Sequence, residues 1–339
     1  MRAAFLHGIR DLRLGDLPEP RPGPDEILLR IRAVGLCGSD LHYYADGGTD
    51  ERGLPEPLVL GHELAGEVID ERAADFGLRP GALVAVDPAR PCGRCEWCLR
   101  AEPNLCPHQV FSGSPPAHHG GLCERLVAPR ANLFPVPASF TPSVTAVLEL
   151  LGVAVHACQL AAVRPGETVA VVGAGPLGLL LVQLARLAGA SRIWAVDPLE
   201  YRAARARDLG ADDAGTEAAS LEAWTSGRGV DLVLEATNTA AGPRAAAGIA
   251  RIGGRVVLAG IPAGDRLTFP ASVLRRKQLN LQLVRRMGHV YPRAIGLVEE
   301  GKVDVGAVIT HTFPLHRAAD AFELLASRGD GVLKCVVEV

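Results

Sequence analysis

One glycine-rich turn constrains the fold of this chain more than any other segment, because it lies between a strand-like run and a helix-like run. The run ETVAVVG (167–173) is continuous in apolar, mostly β-branched residues, and LGLLLVQLARLAGA (177–190) is long and apolar like a helix. The turn itself reads Gly173-Ala174-Gly175-Pro176-Leu177-Gly178. A strand, a G-x-G-x-x-G turn and a helix in this order predict a dinucleotide site, where glycines let the backbone approach a pyrophosphate at the positive end of the helix.

An acidic residue follows this turn at the spacing typical of such a site. The run RIWAVD (192–197) reads as the next strand and ends on Asp197, 19 residues beyond Gly178. A carboxylate here would accept hydrogen bonds from an adenosine ribose and repel a 2′-phosphate, so the sequence favours NAD over NADP. The alternative is a tight strand–helix turn followed by a surface aspartate.

Strands and helices alternate on both sides of this turn, between residues 151 and 284. Helix-like runs cover 198–211 and 240–252, and strand-like runs cover 229–237 and 254–261. This alternation is the signature of βαβ units and of a doubly wound parallel sheet, so the fold class is α/β.

The two ends of the chain have a different sequence pattern from this central region. Residues 1–150 contain short alternating strand-like runs, such as EILLRIRAVGLC (26–37) and GEVIDER (66–72), separated by Pro and Gly. Residues 285–339 contain a helix near 292–301, then a strand, a helix and a closing strand. We therefore expect a β-rich first domain, an inserted α/β domain over 151–284, and a C-terminal return.

Four of the eight cysteines are clustered in a lobe at 90–107. They form the pattern C-x2-C-x2-C-x7-C, and they are Cys92, Cys95, Cys98 and Cys106. Four thiolates close a tetrahedral zinc site with no open position, which predicts a structural zinc. The alternatives are reduced cysteines in a polar loop, or an iron–sulfur cluster, for which no accompanying redox feature is present.

Composition excludes several other classes. The chain has 339 residues, is 48% hydrophobic and has a net charge of −3, which is unlike a disordered chain. It has no basic block to follow a nucleic-acid backbone and no uninterrupted apolar stretch of roughly 20 residues to span a membrane. The N-terminus lacks the apolar core of a signal peptide. We expect a cytoplasmic protein with a small-molecule partner and no nucleic-acid or membrane partner.

A second metal site is suggested by three separate motifs. Cys37 lies in GLCGSDLHYY, His62 and Glu63 lie in VLGHELAG, and Glu149 lies in LELLGVAVH. Each motif alone is compatible with a core cysteine or a surface pair. Together they supply a thiolate, an imidazole and a carboxylate, the donor set of a catalytic zinc with one open position.

Taken in order, these motifs resemble the zinc-dependent medium-chain alcohol/polyol dehydrogenases. The resemblance rests on GLCGSDLHYY, the GHE at 61–63, the cysteine lobe, the glycine turn and the tail THTFPLHRAADAFELL. The sorbitol (L-iditol)/xylitol dehydrogenase branch is the most similar. The resemblance implies a GroES-like catalytic domain, a Rossmann domain, two zinc ions per chain, NAD and a homotetramer. It also implies hydride transfer from a secondary alcohol, most simply a polyol, to NAD+.

The resemblance also implies roles for single residues. Cys37, His62 and one or both of Glu63 and Glu149 would hold the catalytic zinc, with Glu149 matching the polyol pattern. Ser39 would pass the substrate proton towards the cofactor ribose, and His42 would be the outer end of that relay. Arg202 would meet the adenosine ribose. The residues at positions that line the polyol pocket are Tyr43, Phe111, Ser114 and Arg286.

The sequence departs from the family pattern at two positions. Leu150 stands where the family usually has Pro, and Met287 stands where polyol dehydrogenases commonly have Tyr. L-threonine, butanediol and general secondary-alcohol dehydrogenases of the same family therefore stay open. Outside this class, the rivals are an NAD-sensing binding protein with only structural zinc and a zinc-free quinone or enoyl reductase. For the tetramer, the run 254–261 is a candidate sheet edge that pairs across a two-fold axis, or else a buried central strand.

Overall fold

The computed structural model describes residues 1–48, 53–54, 56–115, 118–262 and 266–339. The chain forms two compact units. The first unit comprises Met1–Leu150, Tyr291–Glu299 and Val305–Val339, and the second comprises Leu151–Val290 and Glu300–Asp304. The second unit therefore extends beyond the 284 expected from sequence, and five residues within the C-terminal return belong to it.

The two units share one chain-order numbering of strands and helices. The strands are β1 (Arg2–Gly8), β2 (Asp11–Asp16), β3 (Glu26–Gly35), β4 (Leu58–Val59), β5 (Glu63–Val68), β6 (Leu83–Val86), β7 (Ala89–Arg90), β8 (Val110–Phe111), β9 (Arg125–Pro129), β10 (Leu133–Pro135), β11 (Thr168–Val172), β12 (Arg192–Val196), β13 (Asp213–Gly215), β14 (Val230–Glu235), β15 (Ala250–Leu258), β16 (Asn280–Leu283), β17 (Ile309–Pro314) and β18 (Lys334–Glu338). The helices are α1 (Gly38–Asp46), α2 (Glu96–Leu99), α3 (Pro142–Ala161), α4 (Pro176–Leu187), α5 (Glu200–Asp208), α6 (Ser220–Trp224), α7 (Ala241–Ile249), α8 (Ala271–Lys277), α9 (Tyr291–Glu299) and α10 (Ala318–Ser327).

The first unit is built mainly from antiparallel strands. Its largest sheet has the order β10-β6-β5-β3-β18-β17, and β9 also pairs with β3. Within β3 the alternate residues Ile27, Leu29 and Ile31 are fully buried, as a strand with one face on the core requires. The closing strand β18 pairs with β3, so the C-terminal return completes the sheet that begins near the N-terminus. The β-rich first domain is thus confirmed.

The second unit is a parallel sheet with interspersed helices. Its strand order is β13-β12-β11-β14-β15-β16, and every neighbouring pair is parallel. Counted from β11, this is the order 3-2-1-4-5-6 of the doubly wound dinucleotide-binding fold. The glycine turn follows β11, the strand at which the order reverses, where such folds bind their ligands. The α/β fold class is confirmed.

Two strand predictions need correction. The run 66–72 is not a strand throughout, because β5 begins at Glu63 and the chain enters a short 3-10 helix at Glu71. The candidate edge at 254–261 is wrong, since β15 runs from Ala250 to Leu258 between β14 and β16. The sheet instead ends at β16, a short and largely exposed strand that hydrophobicity alone does not single out.

The helix α3 is long and apolar enough, by length and composition alone, to cross a membrane. Its most apolar window has a mean hydropathy of 1.7, and 67% of that window is buried inside the protein. Most of its apolar surface is therefore already covered by protein, as in a core helix. The helix matters for function because it carries Glu149.

Candidate active site

The four cysteines of the lobe converge as their spacing predicts. The sulfur atoms of Cys92, Cys95, Cys98 and Cys106 all lie within 4.8 Å of one another. The Sγ atoms of Cys95 and Cys98 are 3.4 Å apart, and the backbone N–H of Cys92 donates to Sγ of Cys106 at 3.4 Å. All eight cysteines of the chain are free, so no disulfide competes for these sulfurs. This cluster fits a closed tetrathiolate zinc site.

The thiols of the lobe do not share one protonation behaviour. Backbone N–H groups of Arg94 and Cys95 lower the pKa of the Cys92 thiol to about 6. Burial and neighbouring thiols raise the pKa of the Cys98 thiol to about 12. Packed sulfurs can thus lose one proton readily but resist losing all of them, because thiolates repel one another. A divalent cation removes that repulsion, which is why the donor set fits zinc.

A second cluster joins Cys37, His62 and Glu63, whose ligand atoms also lie within 4.8 Å of one another. Cys37 is the N-cap of α1 and lies two residues after the end of β3. His62 and Glu63 lie where β5 begins, and Glu63 pairs in register with Gly35 of β3. Two adjacent antiparallel strands therefore bring a thiol, an imidazole and a carboxylate to the same end of the sheet.

The carboxylate of Glu63 is fully buried, and its two oxygens differ in their surroundings. Oε1 accepts a hydrogen bond from Nζ of Lys334, itself only 2% exposed. Oε2 has no hydrogen-bond partner among the residues that the structure describes. Burial lowers the pKa of Lys334, but the hydrogen bond to Glu63 and the charges of Glu63, Cys37 and Glu149 together raise it above its usual value. A buried carboxylate oxygen without a donor, beside a thiol and an imidazole, fits a metal ligand.

Asp40 is a functional residue that the sequence reasoning missed. Its Oδ1 lies 3.2 Å from Nδ1 of His62 and its Oδ2 accepts from the backbone N–H of Cys37 at 3.0 Å. Burial raises the pKa of this carboxyl, but the His62 ring and the backbone N–H groups of Cys37 and Gly61 together lower it below its usual value. With Nδ1 of His62 held by Asp40, Nε2 is left for a metal. The signal available in the sequence was its position three residues after Cys37, at the start of a helix.

Lys334 was missed as well. Its sequence signal is a charge that opens the apolar closing run KCVVEV, a position at which a strand would normally bury an uncharged side chain. Its partner Glu63 lies 271 positions earlier, so only the folded chain shows the pair.

Glu149 is buried on α3 but is not part of the three-residue cluster. Burial and the nearby carboxylate of Glu63 raise its pKa to about 7, against the opposing charges of His62 and Lys334. These electrostatic effects place Glu149 close to the cluster. The arrangement makes Glu63 the better candidate for the third ligand and leaves Glu149 beside it.

The remaining sequence candidates are divided between the two units. In the first unit the ring of Phe111 lies 5.2 Å from that of His62, Tyr43 is buried, and Ser39 and Ser114 are half-buried. His42 is buried on α1 and contacts Asp46. Arg286 belongs to the second unit, where it adopts a φ of 54°. Its neighbour Met287 is buried against Gly152 of α3, so it fills core space within that unit.

The glycine turn has the geometry of a phosphate-binding loop. Gly173 has a φ of 92°, and a Cβ on Gly178 would lie 1.8 Å from the Gly173 carbonyl oxygen, so both positions require glycine. Gly175 is the N-cap of α4, which begins with Pro176 and Leu177. A Cβ on Gly175 would meet only the end of Arg202, at 3.7 Å. The space above the helix N-terminus is therefore open to an anionic group.

Asp197 fixes this loop at its other side. Its Oδ2 accepts from the backbone N–H of Ala174 at 2.9 Å, and its Oδ1 accepts from that of Leu199 at 3.0 Å. Nη1 of Arg202 lies 3.9 Å from Asp197 Oδ2. The carboxylate is 4% exposed and is tied to both flanking backbones, so it keeps a fixed position beside the turn. These residues fit an adenosine ribose and pyrophosphate.

Comparison with known proteins shows the family of this chain. A family model described as the alcohol dehydrogenase GroES-like domain matches residues 23–138, and a zinc-binding dehydrogenase model matches residues 176–300. A sorbitol dehydrogenase from Gallus gallus is 35% identical over 343 residues, covering 98% of this chain and 96% of that protein. The chain belongs to the zinc-dependent medium-chain alcohol/polyol dehydrogenases.

Two further relatives show the range of this family. An L-idonate 5-dehydrogenase from Vitis vinifera is 34% identical and covers 97% of this chain and 93% of its own length. A crystal structure of a zinc-binding dehydrogenase from Sinorhizobium meliloti bound to NADP superposes with a TM-score of 0.89, at 30% identity, over 100% of this chain and 99% of that one. The protein is accordingly a zinc-binding, nicotinamide-dependent oxidoreductase with a GroES-like and a Rossmann domain.

Proposed function

We propose that this dehydrogenase oxidises a secondary alcohol of a polyol, of the sorbitol, xylitol or L-iditol type, with NAD+ as hydride acceptor. The observation that carries the proposal is the cluster of half-buried Cys37 with buried His62 and Glu63, in which an oxygen of Glu63 has no donor among the described residues. The relatives named sorbitol dehydrogenase and L-idonate 5-dehydrogenase support polyols and their acids as the substrate class.

The residues of the chain have separable tasks in this reaction. The chemistry supplied by bound zinc is acidification of the alcohol, and that supplied by the nicotinamide is acceptance of hydride. Asp40 orients His62, and Lys334 balances the charge of Glu63. The Ser39 hydroxyl accepts the alcohol proton and passes its own proton outward, and His42 receives it at Nε2. The products are a ketone, NADH and one proton.

The direct test is turnover together with metal content. Wild-type protein should form NADH from xylitol or sorbitol and NAD+, and removal of the cluster ligand in His62→Ala should abolish turnover while the structural zinc stays bound. The matched control is His316→Ala, a histidine in a short 3-10 helix that is remote from both clusters in sequence. Full turnover by His62→Ala would show that this cluster is not the reacting centre.

We propose a homotetramer whose subunits associate in part through the exposed edge of the parallel sheet. The last strand of that sheet is β16, whose Leu283 side chain is 58% exposed. A short edge strand with an exposed apolar residue is suited to pairing across a two-fold axis. Light scattering at micromolar concentration tests this: a monomer would contradict it, and Leu283→Lys should weaken association.

We also propose a cytoplasmic location. All eight cysteines are free, and the lobe needs four reduced thiols to bind zinc. A reducing compartment provides those conditions. Cell fractionation with detection of the intact protein tests this proposal.

A further inference from the structure

Asp46 ends α1 four residues after His42, and its carboxylate contacts the histidine ring. The distance from Nδ1 of His42 to Oδ2 of Asp46 is 2.7 Å. The His42 side chain is 7% exposed, whereas that of Asp46 is 54% exposed. The second ring nitrogen, Nε2, is buried and has no hydrogen-bond partner within the described part of the chain. His42 is therefore held by one nitrogen and keeps the other available.

Helix stability does not explain why an aspartate stands at this position. A carboxylate in the last turn faces the negative end of the helix dipole, and the last turn of α1 has no basic residue to offset it. The helix already has a C-cap, because Gly47 has a φ of 86° and donates its N–H to the carbonyl of His42. Asp46 thus breaks a local rule of helix design, and such exceptions concentrate at functional sites.

We propose that Asp46 is a positioning residue for proton transfer through His42. It accepts a hydrogen bond from Nδ1–H and thereby fixes the tautomer in which Nε2 carries a lone pair. This inference rests on the proposed function, in which His42 is the outer end of the relay. When the alcohol is oxidised, its hydride reduces NAD+, and its proton passes by way of Ser39 to Nε2, which makes the ring an imidazolium. The imidazolium gives this proton up from Nε2 after the ketone has left. Asp46 keeps its hydrogen bond to Nδ1 and stabilises the imidazolium while it exists.

The tautomer can be measured without any substrate. In protein labelled with 15N-histidine and deuterated, the ring signals of His42 are assigned by their loss in His42→Gln. We expect wild-type His42 to show a protonated Nδ1 and an unprotonated Nε2, and Asp46→Ala to shift the ring towards the Nε2–H tautomer. An unchanged ring spectrum in Asp46→Ala would overturn the inference, whatever the substrate of the enzyme.

Kinetics then separate positioning from a structural role. With saturating NAD+ and xylitol, Asp46→Ala should lower kcat about tenfold, within the range found for residues that orient a catalytic or metal-binding histidine, and should leave KM nearly unchanged. The solvent deuterium isotope effect on kcat should rise, because proton transfer becomes slower. Asp46→Glu should recover part of the loss. The matched control is Asp208→Ala, since Asp208 also ends a nine-residue helix and is also exposed.

The double variant shows whether Asp46 acts through His42. We expect Asp46→Ala to have no further effect on kcat in a His42→Gln background, as for two residues of one unit. Equal losses in both backgrounds, or a lower melting temperature with loss of zinc, would indicate a structural role and overturn the inference. If His42→Gln lowers kcat and Asp46→Ala does not, Asp46 has no such role, although the relay stands. If His42→Gln retains wild-type kcat, the relay in the proposed function is wrong.

Discussion

At the scale of single residues, we expect cofactor choice to depend on the fixed carboxylate of Asp197. Asp197→Ala removes a charged acceptor for the ribose and the repulsion of a 2′-phosphate. We expect kcat/KM for NAD+ to fall by roughly 10–100-fold, the equivalent of about 1.4–2.8 kcal/mol, and the preference for NAD+ over NADP+ to narrow. Steady-state kinetics with both cofactors check this. NADP+ is a real competitor here, because one structural relative is bound to NADP and the cationic Arg202 lies near Asp197. A wild-type preference for NADP+ would refute the NAD proposal.

The two metal clusters should respond differently to single substitutions. Cys98→Ser removes one ligand of a closed site, and because such a site contributes folding energy we expect a lower melting temperature or loss of assembly. The Cys37, His62 and Glu63 cluster is left intact by this change. Metal analysis and thermal unfolding of the same preparation check the prediction. Cys158→Ser is the control, because Cys158 belongs to neither cluster. Unchanged stability and zinc content in Cys98→Ser would contradict the structural assignment.

At the scale of secondary-structure elements, the close pairing of β3 and β5 makes the second cluster possible. A Cβ on Gly35 would lie 2.2 Å from Oε2 of Glu63, so Gly35→Ala must displace that carboxylate. We expect loss of turnover and of the zinc held with Cys37, with the lobe zinc retained. Gly8→Ala is a matched control on a strand, because no atom lies within 4 Å of the added Cβ. Wild-type turnover and zinc content in Gly35→Ala would show that Glu63 is not a ligand.

Asp231, near the start of β14, links neighbouring strands of the parallel sheet. Its oxygens accept from Thr168, Arg228 and Arg251, and although burial raises its pKa, these donors lower it well below the usual value. A depressed pKa contributes stability that is present above about pH 4 and is lost as the pH falls through the folded-state value.

We therefore expect Asp231→Asn to cost about 2 kcal/mol at neutral pH, or about 4–8 °C in melting temperature. The difference from wild type should narrow below about pH 4, where the unfolded carboxyl takes up its proton. Thermal unfolding across this pH range checks both statements. As a control, Asp208→Asn, at an exposed position, should change the melting temperature little. If the difference in stability between wild type and Asp231→Asn stayed constant down to the lowest pH, the ionised carboxylate of Asp231 would not be its cause.

Local features of the elements could be predicted from the sequence, whereas contacts between distant elements could not. The helices and strands of the second unit follow from local periodicity, and the four cysteines from their spacing, because each signal lies within a short segment. The position of β15 inside its sheet depends on which strands become neighbours, which local patterns do not record. The contacts of Glu63 with Lys334 and of His62 with Asp40 join distant segments, so these supporting residues became visible only in the folded chain.

At the scale of the whole molecule, the property to predict is the preference of the enzyme among alcohols. Phe111 lies beside His62, Glu149 is affected by the charges of the metal cluster, and Ser39 is two positions from Cys37. The resemblance implies that Tyr43, Ser114 and Arg286 contact substrate hydroxyls. A simple alkyl alcohol offers no further hydroxyl for such contacts, at roughly 1–3 kcal/mol of transition-state binding for each contact that is not made. We therefore expect xylitol and sorbitol to exceed 2,3-butanediol and L-threonine in kcat/KM, and 2-propanol to be poor.

The buried position of Met287 sharpens this expectation. Met287 stands where polyol dehydrogenases commonly have Tyr, and its side chain is buried and packs on Gly152 within the second unit. Since the resemblance implies that Arg286 contacts substrate hydroxyls, Arg286→Ala should reduce turnover of polyols far more than that of 2-propanol. Met287→Leu should change the ratio of polyol turnover to 2-propanol turnover little, because Met287 packs inside the second unit. The measurement is kcat/KM for the five alcohols side by side, in wild type and both variants. If 2-propanol matches or exceeds every polyol, the enzyme is a general secondary-alcohol dehydrogenase, and the polar residues around the cluster serve the fold.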